Sequence, residues 1–145
     1  MADDRRVLPM GDRAWLVELP DLDDALRLFA ALTAAHLPGV VEAGPAARTV
    51  LVKFDPLTTT ADELGTRLAS LPAAPKAAAS GRLVTIAVHY DGDDLAEVAE
   101  LMGLSEREVI DRHTAATYKV AFGGFAPGFA YLTGGDPIFD VPRRS

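Results

Sequence analysis

The apolar residues of the chain recur with two different periods, and the places where the period changes divide it into elements. Residues 14–19 alternate, with Trp15, Val17 and Leu19 on one face, and Pro20 closes the run, which predicts a strand. Residues 21–37 place Leu22, Leu26, Phe29 and Thr33 at helical spacing, with acidic residues at the end where the helix dipole is positive. Residues 39–44 form a short strand candidate, and 48–54 a stronger one with Val50, Val52 and Phe54 on one face. Residues 60–71 open with Thr60 and Glu63 at capping-box spacing and carry Leu64, Leu68 and Leu71 on one stripe.

Strand, helix, two strands and helix is the opening of a split βαβ, ferredoxin-like α/β sandwich. Such a unit requires a fourth strand, which residues 82–90 either supply or leave open by beginning something new. Residues 72–81 are small, carry two prolines and show no periodicity, as expected of a linker. The chain is therefore predicted to be α+β, with an N-terminal domain over 1–75 and a second over 82–145.

In the second part, Leu95, Val98, Ala99 and Met102 lie at helical spacing within 94–103, and Gly103 suits a C-terminal cap. Ser105 and Glu108 form a second capping box at the head of residues 105–117. Residues 118–122 alternate again, starting at Tyr118. The stretch 123–137, GGFAPGFAYLTGGDP, follows directly. It is too rich in glycine for a helix and has Ala-Pro-Gly where a strand would need backbone donors, so it reads as a loop that displays Phe125, Phe129 and Tyr131.

Composition narrows the function classes. Apolar residues make up 49% of the 145, enough for a packed core, and the formal net charge of −7 argues against nucleic acid and anionic membranes as partners. The absence of cysteine removes disulfides and thiolate metal sites and fits a cytoplasmic protein. No apolar run is long enough to span a bilayer, and the first ten residues contain no signal-peptide core.

Chemistry-bearing candidates are few. His113 lies near the end of a short helix just before the glycine-rich stretch, and histidine changes charge near neutral pH. Local sequence favours the plainer alternative, a histidine that caps the helix C-terminus. His36 has the same alternative, and His89 falls on a solvated strand face. Three scattered histidines give no metal constellation, and there is no Walker A, dinucleotide or G-x-S-x-G signature. In the stretch 123–137, Gly124 and Gly128 permit close backbone approach, Pro127 stiffens the turn, and the aromatics suit a planar ligand or a partner's pocket. Inward packing of those aromatics under an irregular loop is an equal alternative on local sequence.

Residues 11–19, 48–56, 94–137 and 141–145 together resemble the family of B-type 5-oxoprolinase subunits, also known as allophanate hydrolase subunit 1 or the sporulation kinase inhibitor family. The G-F-x-P-G-F-x-Y-L block, preceded by His113-Thr114 and followed by Pro142-Arg143-Arg144, carries the resemblance. Family members are similar to part of the carboxyltransferase region of urea amidolyase (subdomains C and D), with an N-terminal α/β domain and a C-terminal cyclophilin-like β-barrel. The resemblance implies one component of an ATP-dependent amide or lactam hydrolase, with homologous C-type and further A-type subunits as partners. Some members instead inhibit a sensor histidine kinase, which is the alternative role. Family chains continue past the P-R-R block, so the expectation is a C-terminally truncated chain holding only the first part of the barrel, or a sheet completed by another chain. In the enzymatic role, amide cleavage requires a proton for the leaving nitrogen, for which His113 is the candidate general acid. Arg143 and Arg144 are candidates to hold a carboxylate or phosphate, and the amides around Gly124 and Gly128 to stabilise negative charge. Tyr118, Phe125, Pro127, Phe129 and Tyr131 complete the expected substrate- or partner-binding set.

Overall fold

The computed structural model describes residues 5–76 and 81–142. The chain divides into two compact units, Met1–Gly81 and Arg82–Ser145.

The first unit is one antiparallel sheet with two helices. Its elements are β1 (Arg6–Pro9), β2 (Ala14–Glu18), α1 (Leu22–Ala35), β3 (Val40–Pro45), β4 (Thr49–Phe54) and α2 (Ala61–Ser70). The strand order is β1-β2-β4-β3. β4 thus lies between the two strands that α1 connects, which is the split arrangement expected from the alternation of elements. The fourth strand, however, comes from the N-terminus. β1 pairs with β2 in the register Val7↔Val17, and the Arg6–Glu18 ion pair closes its end at 2.8 Å. With two apolar residues and a proline, residues 6–9 carry no readable alternation, and Pro9 is tolerated because β1 is an edge strand.

The run 82–90 is accordingly not the fourth strand, and no strand forms there among the described residues. Leu83, Val84, Ile86 and Val88 are all exposed. Its β-prone residues express only half of what a strand needs, because a ladder also requires a neighbour to take the backbone bonds.

The core of the first unit lies between the sheet and the helices. Val17, Leu19, Val50, Val52 and Phe54 meet Ala25, Leu28 and Leu32 from α1 and Leu64 and Leu68 from α2. The stripe predicted for α1 is displaced by one position: Ala25, Leu28 and Leu32 are buried, Phe29 packs only partly, and Thr33 is exposed. This helix is apolar around much of its circumference, so spacing alone does not select the inward line. On α2, Gly65 lies against Trp15. A Cβ at Gly65 would stand 3.0 Å from the indole, whose Nε1 donates to the Ala61 carbonyl at 3.1 Å.

In the second unit, α3 (Leu95–Met102) ends at Gly103, whose φ of 65° is the left-handed cap expected there. α4 (Glu106–Ala115), β5 (Lys119–Gly123), β6 (Ala130–Thr133) and a 3₁₀ turn, η1 (Pro137–Phe139), follow. Both predicted capping boxes form, at Thr60–Glu63 and Ser105–Glu108. The stretch 123–137 is not a loop throughout. Its second half supplies β6, which pairs antiparallel with β5, and the Ala-Pro-Gly segment forms the hairpin tip.

Leu64 is fully buried and Leu57 is 94% exposed. Leu64→Ala is expected to destabilise the first unit by about 2–5 kcal/mol through the cavity it leaves, and Leu57→Ala by less than about 0.5 kcal/mol. Denaturant unfolding followed by the fluorescence of Trp15, the one tryptophan in the chain, reports on this unit directly.

Candidate functional site

The second unit brings two groups of predicted residues together. The first surrounds His113, in the last turn of α4. The Ser105–Glu108 box fixes the start of this helix, with the Glu108 carboxylate accepting from the Ser105 backbone N–H at 2.8 Å. Those bonds, backbone first, hold the Glu108 carboxyl below its ordinary pKa.

The His113 ring touches three aromatic rings. Tyr90 and Phe139 meet it edge-on with centroids 5.8 and 5.7 Å away, and Tyr118 lies tilted at 5.2 Å. The Tyr90 hydroxyl is 2.5 Å from His113 Nδ1, and the Tyr118 hydroxyl donates to the His113 carbonyl at 3.3 Å. Burial, then the proximity of Tyr90 and Asp136, raises the Tyr118 pKa.

A close backbone passage completes this cluster. Gly134 has φ +97°, and a Cβ there would fall 2.8 Å from the Thr117 carbonyl oxygen; one at Gly135 would be 3.1 Å from the Tyr118 ring. Glycine at both positions lets the chain leaving β6 cross directly over residues 117–118. Asp136 then accepts from Arg112 at 3.0 Å and from the Ile138 backbone N–H at 3.1 Å, and η1 carries Phe139 onto His113. The backbone bond to Ile138, followed by the Arg112 bond, lowers the Asp136 pKa.

The second group lies on the β5–β6 hairpin. Phe122 and Tyr131 stack at 4.7 Å, Tyr131 meets Phe129 edge-on at 5.2 Å, and Phe129 meets Phe125 at 5.3 Å. The rings therefore form a continuous ladder that is most exposed at its tip, where Phe125 is 89% accessible. Phe125 has φ 66° and Gly128 φ 78°, so the tip turns through two left-handed residues. Gly124 lies against the Tyr131 ring, with ordinary van der Waals room at 3.7 Å for a Cβ, and Pro127 is exposed at the tip. The alternative of inward packing under a loop does not describe Phe125, Phe129 or Tyr131, all of which are exposed.

Arg143 and Arg144 lie outside the described residues. His36 is the left-handed C-cap of α1, and His89 is exposed beside Asp91. Among the described residues, no group of three or more His, Cys, Asp or Glu could hold a metal ion, and no helix is long and apolar enough to cross a membrane. Sequence reasoning missed Tyr90, Phe139 and the Arg112–Asp136 pair. Tyr90 is 23 residues from His113, and no local pattern signals that contact. The Gly134–Gly135 pair followed by Asp-Pro was the visible trace of the crossing, although a glycine pair alone does not say what it crosses.

Residues 5–145 match the model of the carboxyltransferase domain, subdomain C and D. The chain is 31% identical to the B-type 5-oxoprolinase subunit of Bacillus subtilis (strain 168) over 159 residues, covering 94% of this chain and 65% of that protein. It is 43% identical to the corresponding B-type protein of Escherichia coli O157:H7 over 67 residues, covering 44% of this chain and 31% of that one. The chain thus spans about two thirds or less of the length of these curated relatives. Among solved structures, TTHA0988 superposes with a TM-score of 0.70 at 35% identity, covering 91% of this chain and 28% of its own.

Two outcomes follow from the crossing. All three tyrosines (Tyr90, Tyr118 and Tyr131) lie in the second unit, so near-ultraviolet tyrosine dichroism follows it separately from Trp15. Gly134→Ala is expected to lower the stability of that unit by about 1–3 kcal/mol, because the residue must keep a left-handed backbone while meeting a carbonyl. The folded-state pKa of Asp136 lies below its unfolded value, so its contribution is fully present above the unfolded value and is lost as pH falls through the folded one. Asp136→Asn should therefore remove part of the acid dependence of the tyrosine-monitored transition and leave that of the tryptophan-monitored transition unchanged.

Proposed function

Because the chain belongs to the carboxyltransferase domain, subdomain C and D, family, we propose that it works as one component of an ATP-dependent hydrolase that opens an amide or lactam. Its similarity to two B-type 5-oxoprolinase proteins supports 5-oxoproline as the substrate class to test first. The observation that carries the reading is His113, held by Tyr90, Tyr118 and Phe139 with no hydrogen bond to its Nε2 among the described residues. Ring opening breaks a C–N bond whose nitrogen must gain a proton, and a fixed imidazole, once protonated, is suited to deliver it from its open Nε2 and return to the neutral ring. The Gly124 N–H is already given to the Phe129 carbonyl at 3.3 Å, so of the two expected amides Gly128 would face the charge that develops on the carbonyl oxygen, and the aromatic ladder would flank the substrate or a partner protein. Arg143 and Arg144 remain the proposed anion-holding pair.

The described residues around His113 do not fit a triphosphate. Arg112 is the cation of that cluster, and Asp136 already holds it at 3.0 Å. ATP is proposed to be held by a partner, where it would activate the carbonyl, and the proposed partners are homologous C-type and further A-type subunits. The two compact units are taken as separate domains. The first would be a ferredoxin-like sandwich whose fourth strand is moved to the front of the chain; the second would be part of a cyclophilin-like barrel.

A second role has an observation of its own. Phe125 at the hairpin tip is almost fully exposed, which suits a protein contact such as inhibition of a sensor histidine kinase. In a complex reconstituted with the partner proteins, His113→Ala is expected to lower ATP-coupled ring opening by at least about 100-fold. Unchanged turnover would remove His113 from the chemistry. Kinase inhibition that survives His113→Ala but is lost with Phe125→Ala would favour the second role.

A further inference from the structure

We infer that Tyr90 is a positioning residue for His113: its hydroxyl holds the neutral imidazole in the form that carries its hydrogen on Nε2. Tyr90 closes a run that is otherwise turned to solvent, since residues 81–89 are all exposed and Tyr90 alone among 81–90 is half-buried. What it contacts is the side of the imidazole bearing Nδ1, at 2.5 Å. Two hydrogens can occupy that contact, and the chemistry of the two groups chooses between them. If Nδ1 carried the hydrogen, the Tyr90 oxygen would have to accept it, and a phenol oxygen is a weak acceptor. If Tyr90 donates to Nδ1 instead, a good donor meets a good acceptor, and the ring hydrogen resides on Nε2. The Tyr118 hydroxyl does not compete for the site, because it is turned to the His113 carbonyl.

The ring is also fenced. Tyr90 and Phe139 stand nearly perpendicular to it, at 81° and 87°, and Tyr118 lies at 42°. A phenol both donates and accepts, so when the ring gains a second proton, Tyr90 can turn its hydroxyl and receive the new Nδ1–H. When the imidazolium gives its Nε2 proton to the leaving nitrogen, the hydrogen that remains is on Nδ1, and Tyr90 as acceptor keeps the ring in place until exchange with solvent returns the hydrogen to Nε2 and Tyr90 donates again. Phenylalanine at the same position would preserve the edge-on contact and lose this guidance. The catalytic consequence rests on the role proposed for His113, whereas the tautomer does not.

The two are separable by experiment. In the chain carrying His36→Gln and His89→Gln, His113 is the remaining histidine and can be observed alone after ¹⁵N-histidine labelling. At a pH above the ordinary histidine range, Nδ1 is expected at a pyridine-type shift and Nε2 at a pyrrole-type shift. Tyr90→Phe should move both towards a tautomeric average, and Tyr118→Phe should leave them in place. A hydrogen on Nδ1 in the parent chain overturns the inference whatever the variants do, and so does a Tyr90→Phe spectrum identical to the parent's. In the reconstituted complex, Tyr90→Phe is expected to lower kcat about tenfold with KM unchanged. If turnover is indifferent to His113→Ala while the tautomer behaves as described, the proposed function fails and the positioning stands.

Discussion

The second unit is organised by the passage of Gly134 and Gly135 over Thr117 and Tyr118. No side chain larger than hydrogen fits at Gly134 without meeting the Thr117 carbonyl, and the backbone there is left-handed. From this one contact follow the Asp136–Arg112 pair, the η1 turn and the placement of Phe139 against His113. The Tyr118 ring is covered by Gly135 on one side and His113 on another, which accounts for the desolvation that raises its pKa. A helix-end histidine becomes a fixed group because the chain leaving β6 returns over residues 117–118 and sets Phe139 against its ring.

The hairpin obeys a different logic. β5 and β6 pair antiparallel along one edge of each strand, and their aromatic side chains form a ladder that runs outward to Phe125. Exposed aromatic surface is unfavourable in water, and here it is concentrated at one tip rather than scattered. The Phe129–Phe125 contact and the two left-handed residues give the tip a defined shape, so its surface is presented in one arrangement. That is what a contact with a substrate or another protein would use.

Much of this was legible in the chain because it depends on local physics. The two capping boxes, the Gly103 cap and the strands around Val17 and Val52 each follow from residues within a few positions of one another. The failures are equally physical. Residues 82–90 have strand chemistry without a partner, and β1 has a partner with almost no strand signature. The inward line of α1 could not be chosen because Leu22, Leu26, Phe29, Ala25, Leu28 and Leu32 are all apolar. At the candidate site, His113 and the aromatic block were visible as residue types at suggestive positions. Tyr90, Phe139 and Asp136 were not, since what gives them meaning is a contact across the chain. The first lies far upstream, and the other two arrive only through the glycine crossing.

In the proposed role, this chain contributes a proton-donating site to chemistry it shares with other proteins of one complex. The most direct measurement is ATP-dependent product formation from cyclic and linear amides, with this chain alone, the partners alone, and all of them together. Turnover is expected only in the complete assembly, with ATP hydrolysis and ring opening in step. Turnover by this chain alone, or undiminished turnover by the partners without it, would contradict that role.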